Sequence, residues 1–137
     1  MKFFTRVVSD APFRFSLLMW LVALHSLMVG LALMFMPTEF FSLYFDYQPI
    51  SERFFSVQAG VFHIVLSIGY ALTAIDWKRY EGIVILSITA KFIATLFLFY
   101  YSTLITWIPI VFVSGAGDLL MGLAVLWAYR CNKTLTR

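Results

Sequence analysis

Two formal charges stand inside long apolar runs of this chain: Lys91 within ILSITAKFIATL and Asp118 within VSGAGDLLMG. Unpaired in hydrocarbon, each would cost about 2.5–3.5 kcal/mol on an insertion scale. Mutual pairing across two helices is therefore the economical arrangement, and two kinds of chemistry are open to it. One is a packing device that fixes how two helices meet; the other is a group that handles a proton or a polar ligand. The flanking residues fit either use. Ser87, Lys91, Thr95 and Ser102 form one polar stripe at intervals of four, four and seven, while Ser114, Asp118 and Gly122 repeat every four with Gly115 beside them. Small residues around Asp118 would let the neighbouring helix approach closely enough for the Lys91 ammonium to reach the carboxylate.

His25 and His63 each sit in the middle of an apolar run. If the two runs are antiparallel neighbours, the imidazoles share a depth, the geometry for bis-histidine ligation of a haem b or for hydrogen bonding to a quinone. A structural role is the leading reading. Ser56, Gly60, His63, Ser67, Tyr70 and Ala74 step by four and three, as a close helix contact does, and a histidine in such a seam can bond across it. Gln58 is expected to hydrogen-bond another helix, and Arg53 with Glu52 to anchor a helix end at the headgroups. Two histidines without a third ligand do not make a zinc site. Neither a nucleophile paired with a base, nor a phosphate loop, nor an HExxH motif is present, so the reading is non-enzymatic. Cys131 reads as a boundary residue after the last apolar run, and a single cysteine excludes an internal disulfide.

The elements that position these residues follow from composition. Of 137 residues, 62% are hydrophobic and 12% charged, against about 45–50% and 25% in a soluble domain. Lipid is the solvent such a chain needs. Four windows reach the roughly 20 residues that cross a bilayer: about Phe15 to Met36, Phe54 to Ile75, Gly82 to Tyr101 and Trp107 to Tyr129. The first is too long for a signal-peptide core and is read as a span. Pro37 to Ile50, rich in Phe and Tyr beside Glu39 and Asp46, suits the headgroup layer as a short interfacial helix. Ser102 to Ile108 reads as a tight uncharged turn.

One all-α transmembrane domain, a four-helix bundle with antiparallel neighbours, is expected. Lys2, Arg6, Arg14, Lys78, Arg79, Arg130, Lys133 and Arg137 fall on one side and Arg53 alone on the other, which predicts cytoplasmic N and C termini. The net charge of +3 is then a matter of topology and gives no reason to expect nucleic acid as a partner. Membrane lipids are the expected surroundings.

From Arg53 to Arg130 the chain resembles the DoxX-like and BphX-like small four-span bacterial membrane proteins. The resemblance rests on Arg53 and Gln58 opening the second span, Gly69 and Tyr70 before the charged turn AIDWKRYEG, Lys91 in the third span, and Gly117 with Asp118 in the fourth. It implies a four-helix bundle in the bacterial cytoplasmic membrane and an occasional association with quinone-linked oxidoreductases. It carries over no catalytic residue, and His25 and His63 are not part of its pattern. With no extramembrane domain to hold a soluble substrate, the first reading is a non-catalytic accessory subunit of a larger respiratory or photosynthetic complex, making lipid or pigment contacts. The rival is a redox subunit binding quinone or haem b through His25 and His63, with Lys91 and Asp118 handling protons. A transporter ranks last, because the polar stripe has too few residues to wet a pore.

Overall fold

The computed structural model describes residues 11–45 and 53–135, and among them the chain is helical apart from short turns, with no strand. Four helices are long and apolar enough to cross a membrane. They are α1 (Ala11–Phe35), α3 (Phe54–Ile75), α4 (Glu81–Tyr100) and α5 (Pro109–Leu135), with the short α2 (Thr38–Phe45) following α1. Lys2, Arg6, Glu52, Arg137 and residues 46–50 of the aromatic connection lie outside the described residues.

Proline sets several boundaries. Pro12 and Pro109 occupy first turns, where a missing N–H costs nothing, and Pro37 stops α1. The expected turn from Ser102 to Ile108 is shorter than the sequence suggests. After α4 the helix continues as a π-helical turn, Tyr101–Ile105, closed by Thr106 N–H donating to the Tyr101 carbonyl at 3.1 Å. Ser102 and Thr103 hydroxyls return to the Phe99 carbonyl at 3.3 and 2.6 Å, so the uncharged segment satisfies itself as helix and leaves 106–108 as the connection. α5 likewise runs past Tyr129 to Leu135.

The start of α1, the α3–α4 turn and the close of α5 share one end of the bundle, here the terminal end; α2 and 106–108 lie at the distal end. Packing is strongest within two hairpins, α1 with α3 and α4 with α5. Lipid tails are as apolar as leucine, so helices in a membrane are held by close contact and hydrogen bonds rather than by burial of oil from water. The α1–α3 seam shows both. Phe15, Met19, Val22, Ser26 and Gly30 are buried on α1, facing Gly60, Ser67, Tyr70 and Ala74 on α3, with Ser56 and His63 half-buried in the stripe expected from the sequence. A Cβ on Gly30 would stand 2.8 Å from the Gly60 carbonyl oxygen, and one on Gly60 2.7 Å from that of Gly30. Backbone touches backbone there. Ser16 Oγ donates to the Ala74 carbonyl at 2.6 Å and Ser26 Oγ to that of His63 at 3.0 Å.

The two hairpins meet in the terminal half. Phe15, Met19, Val22, Tyr70, Ala74, Val84, Val125 and Tyr129 make one apolar core. Trp77 covers it, 5.8 Å from the Phe15 ring and 6.1 Å from that of Tyr129. At its rim the Tyr129 hydroxyl and the Lys133 ammonium both donate to Glu81 Oε1, the latter at 2.8 Å, tying the first turn of α4 to the last turns of α5.

Candidate functional site

Lys91 and Asp118 face each other across α4 and α5, and Lys91 Nζ donates to Asp118 Oδ1. Their side chains are 6% and 15% exposed. The approach depends on glycine. A Cβ on Gly122 would stand 3.1 Å from the Lys91 Cβ, and one on Gly115 2.9 Å from the Phe99 ring, so bulk at either position would hold the helices apart. Thr95 Oγ1 donates to the Lys91 carbonyl at 2.8 Å and reaches that of Gly115 at 3.4 Å, stitching the same seam.

The predicted stripe on α4 is buried along its length, at Ser87, Lys91, Thr95 and Ser102. On α5 the stripe differs from expectation. Ser114 is exposed and bonds its own Ile110 carbonyl at 2.8 Å, whereas Gly115 is buried against α4. The contact there follows Gly115, Asp118 and Gly122, steps of three and four, which a helix of 3.6 residues per turn favours over two steps of four.

Ser87 is 1% exposed, and its hydroxyl meets that of Tyr70, its hydrogen-bonding neighbour across the α3 interface. His63 is held from α1. Ser26 Oγ gives its proton to the His63 carbonyl and stands 3.2 Å from Nδ1, so it accepts from Nδ1–H. That fixes the tautomer and leaves Nε2 as an acceptor. His25 is exposed on α1. Polar contacts inside the bundle thus link successive helices: Ser26 with His63 between α1 and α3, Tyr70 with Ser87 between α3 and α4, and Lys91 with Asp118 between α4 and α5.

A haem between His25 and His63 does not fit this arrangement. A Cβ on Gly30 would stand 3.2 Å from the His63 Cβ, so α1 backbone lies directly against the face of α3 where a macrocycle would have to enter. Among the described residues no group of three His, Cys, Asp or Glu side chains could hold a metal ion.

Of the two polar residues expected to open the second span, Gln58 departs from expectation and Arg53 gains a defined partner. Gln58 is exposed and makes no interhelical hydrogen bond among the described residues. It sits two residues before Gly60, about 200° around the helix from the seam at 100° per residue, which aims it outward. Arg53 Nη2 donates to the Met34 and Met36 carbonyls at 2.9 and 3.3 Å. The last carbonyls of a helix lack intrahelical donors, and Arg53 supplies one from the next span. Arg53→Met is expected to lower the thermal midpoint in detergent by a few degrees, about 1 kcal/mol, with Arg53→Lys intermediate; an unchanged midpoint would mean water satisfies those carbonyls equally well.

Four membrane-length helices around a charged centre define a polytopic helical membrane protein. Compared with protein-family models, curated proteins and solved structures, the chain matches none.

Proposed function

We propose that this chain is a small multi-pass subunit of a bacterial cytoplasmic membrane, both termini cytoplasmic, that binds the polar head of a lipid-soluble molecule at its mid-membrane centre. The observation that carries the reading is that all four long helices bring polar groups into the middle of the bundle, Ser26 with His63, Tyr70 with Ser87 and Lys91 with Asp118. Two paired charges suffice to join two helices. The hydroxyls of Ser87 and Tyr70 and the two imidazoles add nothing to that joint, and polar groups at such depth are retained where they meet a substrate or a proton. The role is non-catalytic and accessory, in service of a larger membrane complex, in keeping with the resemblance to the DoxX-like group.

The test is a gentle-detergent purification through a C-terminal tag. Co-purifying proteins, the absorption spectrum and extracted lipids are read from one sample, beside the double variant Lys91→Met with Asp118→Leu. A lipid-soluble molecule retained in stoichiometry by the native chain and lost from the folded double variant is the expected result. Identical extracts from both would leave the ion pair as a packing device alone. A Soret band lost in His25→Ala and His63→Ala would replace the reading with a cytochrome.

A further inference from the structure

A hydroxyl exposed within a span can satisfy itself. Thr89 Oγ1 donates to the Ile85 carbonyl at 3.0 Å and Ser114 Oγ to that of Ile110 at 2.8 Å, each one turn back on its own helix. His25 has no such recourse. It stands about 15 Å of helix from Phe35, the nearer end of α1, at 1.5 Å per residue. Its imidazole is exposed, and among the described residues no hydrogen bond or ion pair reaches it. Gln58, also exposed, is near enough to a helix start for water to serve it; His25 is at a depth that water does not reach. An unpaired polar group in hydrocarbon is costly, and histidines within spans almost always face a partner. The partner at mid-depth therefore has to come from outside the described helices.

The face that carries His25 selects that partner. Leu18, Leu21, His25, Met28, Ala32 and Phe35 follow one another at steps of three and four, the spacing of a seam between two helices that cross at a shallow angle. This is not the stripe that α1 gives to α3, since His25 is one residue, 100° of turn, from Ser26 in that seam. Leu18 touches the core at the terminal end, and beyond it Leu21, Met28 and Phe35 are 57, 60 and 70% exposed. An uncharged imidazole carries one donor and one acceptor, so it can bond a copy of itself, N–H to N. Every copy of a chain enters the membrane in the same orientation, so two copies pair in parallel, about a two-fold axis along the membrane normal. Identical residues then share a depth, and a histidine near the axis meets its counterpart without any shift of register. One polar residue in an otherwise apolar seam fixes register and partner number in the same way in soluble coiled coils. We infer that two copies of this chain pair in parallel through this stripe of α1, imidazole to imidazole at His25. The pairing is independent of any ligand inside the bundle.

Cross-linking of the full chain in native membranes tests it, with Cys131→Ser as background. Phe35→Cys places a thiol at the distal end of the stripe, and Tyr100→Cys, exposed at the distal end of α4, is the control. With o-phenylenedimaleimide, a short membrane-permeant reagent, Phe35→Cys should give a dimer and Tyr100→Cys should not. Adding His25→Leu should lower the Phe35→Cys dimer several-fold, while His25→Gln, whose amide also donates and accepts, should keep most of it. Both His25 variants should accumulate as the native chain does, because the imidazole bonds nothing within it. Equal cross-linking from the two positions, no dimer from Phe35→Cys, or a dimer indifferent to His25→Leu overturns the proposal. So does an adduct of Phe35→Cys with another protein in place of the dimer, or loss of accumulation in both His25 variants, which would make His25 a part of the fold instead.

Discussion

Gly60→Val is expected to remove the folded protein from detergent extracts, while Gly82→Ala leaves it intact. A Cβ at position 60 would stand 2.7 Å from the Gly30 carbonyl oxygen and 2.6 Å from the Met34 Cγ. The methionine can swing away; the carbonyl belongs to a helix and cannot. Valine adds two methyl groups to the same collision, so α1 and α3 must move apart. With them would go the bonds from Ser16 to Ala74 and from Ser26 to His63. Overpacking a formed interface costs about 1–3 kcal/mol and more where the backbone must shift, a large fraction of the 5–15 kcal/mol that holds a typical domain. At position 82 a new Cβ meets nothing within 4 Å, and alanine favours helix by about 1 kcal/mol over glycine. Size-exclusion profiles after a temperature series read both variants, and equal midpoints for Gly60→Val and the native chain would show that the helices do not cross there.

Lys91→Met and Asp118→Asn should each sharply reduce accumulation, and the double change Lys91→Met with Asp118→Leu should restore it. The pair lies in a seam with side chains 6% and 15% exposed, so removing one partner strands the other charge in hydrocarbon. Breaking a buried pair in this way costs about 3–5 kcal/mol, whereas replacing both members with apolar groups is often neutral or better. Membrane-fraction immunoblots of the four proteins are the measurement. Single variants that accumulate normally would mean the pair contributes nothing to packing; a double variant as poor as the singles would mean that one charge has another indispensable partner. The restored double variant is also what separates fold from ligand, because it keeps the helices together without the polar head's contacts.

The four spans and the ion pair were legible because lipid punishes polar groups so heavily that their positions in the sequence carry meaning. Lys91 and Asp118 lie at matching depth, and the seam from Ser56 to Ala74 has the step pattern of a close contact; both follow from residue type and spacing alone. Gln58 misled for a related reason. It stands four residues into α3, about 6 Å from the helix start at 1.5 Å per residue, close enough to the headgroups for an amide to face outward. Ser114 and Gly115 are adjacent, and which of them meets α4 is decided by the fractional turn that accumulates from Asp118, a quantity a stripe of fours cannot register. Tyr70 and Ser87 were visible as members of stripes, but their meeting across α3 and α4 was not.

The division into two hairpins also bears on how the protein is made. Each pair of helices has its own complete joint: two glycine backbones and two serine bonds in the first, an ion pair and two glycine contacts in the second. The first two spans can lock together as soon as both have left the ribosome and the insertion machinery. The second pair carries its two costly charges on consecutive spans joined by only residues 106–108, so lysine and aspartate reach the bilayer close together in time. Neither charge has to wait long in lipid for its counterpart, and the docking of the two finished halves becomes a late step of biogenesis rather than its condition.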